Sequence, residues 1–166
     1  MSMYSLSFSG ITPSVIDGSN QALPIKAFNT TAGVGIKLWD IYVAGESGSS
    51  TITRLVLNRP TTVAVTWGTT QTPQKCNPFS AAAAGWTVYG SNTAKPTAAT
   101  QPVHALDDIL DLTLNTYGSN LRWVPPPGCE ILVLGLPSAS TAGELVFGSS
   151  RSGAGVVSGT LLVEQL

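Results

Sequence analysis

A chain of 166 residues, 43% hydrophobic and 10% charged, carries enough apolar material for one domain with its own core, and too much for disorder over most of its length. The formal net charge is −1, and the eight basic residues (Lys26, Lys37, Arg54, Arg59, Lys75, Lys95, Arg122, Arg151) are scattered, which argues against nucleic acid as a main partner. With a single His and two Cys, few groups are available for acid–base, nucleophilic or metal chemistry, so a binding or structural role is expected rather than an enzyme.

Taken in chain order, the residues predict strand after strand. Tyr4, Leu6 and Phe8 alternate with Ser5, Ser7 and Ser9, the period-two pattern of a strand over Met3 to Ser9. Gly10, Pro13 and Asp17-Gly18 interrupt it, so residues 1–20 read as an N-terminal arm or edge strand followed by turns. Leu23 to Phe28 is a second short strand, and Ile36 to Ala44 a third whose two apolar faces suggest cover on both sides. Thr51 to Arg59 follows and stops at Pro60, which has no N–H to donate. Thr62 to Trp67 is a β-branched run. From Gly68 to Thr100 the sequence reads as a long loop insertion carrying Cys76.

The stretch Val103 to Tyr117 fits a helical face and, over Ile109 to Asn115, an alternating strand; the strand is favoured because the rest of the chain is β. Tyr117 to Asn120 is expected to turn, Leu121 to Val124 to enter the next strand, and Pro125 to Gly128 to halt it. Glu130 to Leu136, Glu144 to Gly148 and Gly159 to Gln165 complete the set, the first of them short and apolar enough to be a buried strand. Many short strands without helical alternation, joined by loops of uneven length, make an all-β, single-domain, jelly-roll-like β-sandwich with long loops spanning residues 1–166. There is no basic start with an apolar run of the signal-peptide kind, and no apolar stretch approaches the ~20 residues that span a bilayer. Synthesis in the cytoplasm and no membrane partner are the expectation.

Candidate chemistry is sparse. His104, Asp107, Asp108 and Asp111 are the densest titratable group, readable as a metal or acid–base site but better as a solvated acidic edge, since calcium-loop and paired-His spacings are missing. Gly45-Glu46-Ser47-Gly48-Ser49 approaches a nucleophile elbow, yet Ser49 stands where the second Gly belongs. A serine hydrolase would have to use His104 as its base. Trp39, Trp67, Trp86 and Trp123 are candidates for a sugar-stacking platform or, more often in a sandwich, for core and interface. Cys76 and Cys129 read as free, partly buried thiols, with a bridge contributing about 4 kcal/mol as the alternative. No cofactor is expected.

The residues expected at a subunit or capsid interface are Tyr4, Leu6, Phe8, Arg54, Arg59, Arg122 and Trp123. The first three lie on an N-terminal segment able to add a strand to a partner's sheet edge. The arginines sit in or beside apolar strands, where they either pair across an interface or snorkel at a sheet edge.

Four stretches together resemble the auxiliary capsid proteins of tailed bacteriophages, the decoration or cement proteins. They are Ala27-Phe28-Asn29-Thr30-Thr31 with Lys37 to Gly45, then Thr53 to Pro60, then Leu121-Arg122-Trp123-Val124-Pro125-Pro126-Pro127-Gly128, and finally Ser158 to Gln165. These are strand and turn signatures covering most of the chain apart from Gly68 to Thr100. The resemblance implies a homotrimer on the outer capsid surface of a virion, bound to the major capsid protein of the same phage across capsomer boundaries. It implies neither enzymatic activity nor a cofactor. A glycan- or receptor-binding domain of a phage fibre, a major jelly-roll capsid protein and an esterase-like β enzyme stay open beside it.

Overall fold

The computed structural model describes residues 1–13, 25–31, 33–59, 70–90, 108–134, 143–150 and 154–166. Among the described residues there are strands and no helix. In chain order the strands are β1 (Ser2–Ile11), β2 (Lys26–Thr30), β3 (Gly35–Glu46), β4 (Ile52–Asn58), β5 (Thr70–Gln71), β6 (Gln74–Lys75), β7 (Trp86–Gly90), β8 (Asp108–Asn115), β9 (Tyr117–Trp123), β10 (Ile131–Leu134), β11 (Gly143–Ser149) and β12 (Val157–Gln165).

Sheet A runs β10-β3-β12-β1-β6, and β9 also pairs with β3. β9 and β10 share the edge of β3 that β12 leaves free, with Trp123 opposite Ile41 and Ile131 opposite Leu38. Sheet B runs β5-β7-β2-β11-β4-β8. Set the short β5, β6 and β7 aside and count β9 with β10 as one interrupted strand. Sheet A then holds the first, eighth, third and sixth strands of eight, and sheet B the second, seventh, fourth and fifth. All pairings are antiparallel. That order is the jelly roll, the sandwich that the alternating sequence led us to expect.

Alternation decides which side chains meet between the sheets. Sheet A contributes Tyr4, Leu6 and Phe8 from β1, Ile36, Leu38, Ile41 and Val43 from β3, and Leu161 and Val163 from β12. Sheet B answers with Phe28, Leu55, Leu57, Val88, Leu145 and Phe147. Edge-to-face aromatic pairs cross the interior, Tyr4 with Trp86 at 5.5 Å and Phe8 with Phe147 at 6.3 Å between centroids. The polar tips are satisfied where they emerge: Tyr4 Oη donates to Ala81 O at 3.0 Å, and Trp86 Nε1 to Gln165 Oε1 at 3.0 Å.

Several expectations are corrected. Residues 1–20 do not begin with a loose arm, because β1 pairs with β12 from Ser2 to Ile11 and its apolar face is core. The stretch read as loop insertion contains β7, whose Trp86 and Val88 are buried against the core; Ala81 to Ala84 had masked the short alternation that follows. Tyr117 to Asn120 is the start of β9 rather than a turn, and the chain reverses one residue earlier, at Thr116. The two-sided cover expected of Ile36 to Ala44 belongs instead to sheet B. There Ala27, Val56 and Val146 form a second buried cluster on the face opposite the main core, while Tyr42 of β3 is exposed. Ile109 to Asn115 is the expected strand, as part of β8. Thr62 to Trp67 and His104 lie outside the described residues.

The passage from sheet B to sheet A is made at Thr116. Its N–H and its hydroxyl both donate to Thr51 O, at 2.8 and 3.0 Å, and its carbonyl accepts from Ser47 N at 2.9 Å. Gly45 and Gly155 leave the room it occupies, since a Cβ on Gly45 would collide with the Thr116 backbone and one on Gly155 with its side chain. Backbone cannot give way as a flexible side chain does. We therefore expect Gly45→Ala to destabilise the fold by about 2 kcal/mol or more, measured by urea unfolding.

One core-facing position is charged. Lys26 of β2 is 2% exposed, its Nζ donates to Gln71 Oε1, and it lies 5.9 Å from the centre of the Phe8 ring. Burial lowers its pKa from 10.5 to about 8. The unfolded chain thus binds more protons than the folded one between about pH 8 and 10.5, and stability rises through that window. Lys26→Met should melt at a higher temperature than the wild type at pH 7, with the gap narrowing as pH climbs from 8 towards 10. A gap that stays constant with pH would show that Lys26 carries no desolvation cost.

Candidate functional site

Of the titratable group considered from the sequence, His104 and Asp107 lie outside the described residues. Asp111 is engaged by Arg54, whose Nε donates to Oδ2 at 2.6 Å and whose Nη2 reaches the same oxygen. Arg54 and Asp111 are diagonal neighbours on β4 and β8, so this ion pair fastens the edge of sheet B. Among the described residues no group of three or more His, Cys, Asp or Glu is placed to hold a metal ion. Ser47 accepts a hydrogen bond from Val156 N at 2.8 Å and serves the sheet corner. Among the described residues, no helix is long and apolar enough to cross a membrane.

The seven interface candidates part ways. Tyr4, Leu6 and Phe8 are buried in the core, so their side chains cannot meet a partner and deleting residues 1–9 would remove a core strand. Trp123 is half-buried and packs against the same core from β9. Arg54 is spent on Asp111, across the sheet rather than across an interface. Arg59 donates from Nη2 to Leu132 O at 2.6 Å, capping a carbonyl on β10. Arg122 grips Asp40 Oδ2 through Nε at 2.9 Å and Nη2 at 2.6 Å, yet its side chain stays 66% exposed on the outer face of sheet A. That hydrogen bond, and then the carboxylate charge, raise its pKa further.

The outer face of sheet A that carries Arg122 also holds a surface that the sequence did not reveal. On the outer face of sheet A, Leu132 and Leu134 of β10 point away from the core while Ile131 and Val133 point into it. Leu134 opposes Gly35, and a Cβ at Gly35 would meet Leu134 Cδ2 at 2.6 Å and Leu166 Cδ1 at 3.2 Å. The missing side chain lets these leucines lie down across β3. Leu134 is 50% and Leu166 55% exposed, so an apolar ridge is left open to solvent at this end of the sheet.

Charge frames the ridge. Lys37 lies 4.4 Å over the Trp39 ring and 3.5 Å from Glu130 Oε1, and Trp39 Nε1 donates to Glu164 Oε2 at 2.7 Å. Glu130 has its pKa lowered, first by its own backbone N–H and, among the remaining stabilising contacts, by Lys37. Trp39 is half-buried, with Lys37 over its ring, and does not present the open plate that sugar stacking uses. Trp86 is buried, and Trp67 lies outside the described residues. Beyond Trp39 the face turns to hydroxyls and one aromatic: Ser7 and Thr160 bond at 3.2 Å beside exposed Tyr42.

The ridge was missed because Ile131 to Leu134 is a continuous apolar run, which reads as a strand buried on both faces. The signal that could have found it is position: a short strand behind Pro125 to Gly128 is a natural sheet edge. Comparison with protein-family models, curated proteins and solved structures yields no match to this chain.

Cys76 and Cys129 are free, as expected, but both are exposed rather than partly buried. A thiol reagent should therefore titrate two cysteines per chain in the native state without denaturant, and one or none would contradict their exposure.

Proposed function

We propose that the chain is a structural virion protein that binds the outer surface of a tailed-phage capsid and cements neighbouring capsomers, acting as a homotrimer against the major capsid protein. The observation that carries this is the leucine ridge of Leu132, Leu134 and Leu166 on the outer face of sheet A, flanked by the Lys37–Glu130 ion pair. An apolar centre with a polar rim is the anatomy of a protein interface. A jelly roll supplies the rigid, closed scaffold such an interface needs, and repetition over a shell lattice multiplies a modest single contact by avidity. The protein is then made in the host cytoplasm and resides on the virion exterior.

The jelly-roll strand order also favours a second reading, a major capsid protein that forms a shell by itself. Electron microscopy of the purified protein separates the two, since closed particles without any other component support the second reading.

Leu134→Glu puts a charge in the centre of the ridge without touching the core. Co-sedimentation with emptied phage capsids should fall at least about tenfold, or ~1.4 kcal/mol, with the melting temperature unchanged. Undiminished co-sedimentation would remove the ridge from the capsid contact.

A further inference from the structure

A short piece of chain closes one edge of the sandwich. Thr70 and Gln71 pair with β7 in sheet B; after Thr72 and Pro73 the chain crosses to sheet A, where Gln74 and Lys75 pair with β1. Each of these strands is two residues long, and Thr70, Thr72, Gln74 and Lys75 are exposed. With so little pairing, Thr70 to Lys75 is a strap across the gap between the sheets, drawn from the low-stability end of the structure. A cleft lies beneath it, bounded by the strap on one side and by Ala83, Trp86, Thr87 and Val88 on the other. Trp86 and Val88 are buried there.

Gln71 fastens the strap from inside. Its Nε2 donates to Ser7 O of β1 at 3.1 Å, and its Oε1 accepts from Lys26 Nζ of β2. Lys26 is 2% exposed. The described groups around it are uncharged: Phe8 from β1, Gln71 from β5, and its pairing partners Gly90 on β7 and Phe147 on β11. The described titratable side chains of the surrounding elements are engaged elsewhere. Tyr4 of β1 donates to Ala81 O, Tyr89 of β7 packs on the opposite face of sheet B, and Lys75 of β6 is exposed. A buried ammonium facing a neutral carboxamide keeps a desolvation cost that the one hydrogen bond does not offset. Opening the strap is the route by which it reaches water while both sheets stay folded.

We infer that Thr70 to Lys75 is a pH-gated strap, which opens locally over Trp86 and Val88 when Lys26 is charged and closes when Lys26 is neutral. In the open strap the solvated ammonium has its ordinary pKa of 10.5, against about 8 in the closed one, where burial lowers it. The open form therefore holds more protons between those limits, and closure is favoured as pH rises through them. Between pH 7 and pH 9 the ratio of open to closed forms should fall about tenfold. The gate is independent of the leucine ridge and of any capsid contact.

The test is thiol labelling of Val88→Cys in a chain carrying Cys76→Ser and Cys129→Ser. Rates at pH 7 and pH 9 are divided by those of the unfolded chain at the same pH, which removes the pH dependence of the thiol itself. The corrected rate should fall about tenfold from the lower pH to the higher. With Lys26→Met added it should be slow and flat with pH. Leu161→Cys, buried in β12 away from the strap, should label far more slowly, which separates local opening from global unfolding. Hydrogen exchange over Trp86 to Gly90 in the unsubstituted chain, corrected in the same way, should show the same pH trend and covers the case in which a core cysteine perturbs the fold. Equal corrected rates at Val88→Cys and Leu161→Cys overturn the inference, because the strap then opens only when the whole chain unfolds. So does a corrected rate that ignores pH. A pH dependence that survives Lys26→Met also overturns it, since another group is then the gate.

Discussion

Thr116 is the point at which the two sheets become one molecule. Strand β8 ends sheet B and β9 enters sheet A with only this residue between them, so the chain has no loop in which to absorb an error of position. Three hydrogen bonds hold the residue: two to Thr51 O and one from Ser47 N. Each secures it to the β3–β4 connection, itself a crossing between sheets. The neighbouring chain from Gly155 to Val156 is drawn in by Thr53 Oγ1 and Ser47 Oγ. Three separate crossings are thus fastened in one small volume, and that volume exists only because Gly45 and Gly155 have no side chains. The register of β3 against β9 and of β4 against β8 follows from this corner, and with it the choice of which side chains face the core.

The two sheets meet solvent differently, and the surfaces follow from that. Sheet B has apolar residues buried on both faces, in the main core and in the smaller Ala27–Val56–Val146 cluster. Sheet A buries one face and leaves the other available. On that free face, β1 and β12 present hydroxyls, whereas the end near β10 is leucine-rich and flanked by the Lys37–Glu130 ion pair. Arg59 ties up a carbonyl of β10 at the same end. A protein that caps a backbone group there yet leaves leucines uncovered nearby discourages strand addition while keeping side-chain contact available.

The candidate surfaces were only partly legible. Arg122 was singled out from its place in an apolar strand, and the structure places it on the outer face of sheet A, held by Asp40. Tyr4, Leu6 and Phe8 were assigned outward because they open the chain, but an N-terminal strand in a jelly roll lies between the last strand and the sheet edge, where its apolar face is core. Leu132 and Leu134 sit in a run whose composition is that of a buried strand; among the described residues no sheet covers their side, and they are exposed.

Alternation, punctuation by Gly and Pro, and the scarcity of charge by themselves determined the all-β class, most of the strand positions and the poverty of catalytic groups. These are local properties, since a strand's two faces are written in neighbouring residues. The jelly-roll order, the burial of Lys26 and the free outer face of sheet A were decided only by tertiary structure. Each depends on which strand lies beside which, and that pairing joins residues as distant as Ser2 and Gln165. No window along the chain contains both partners of such a contact.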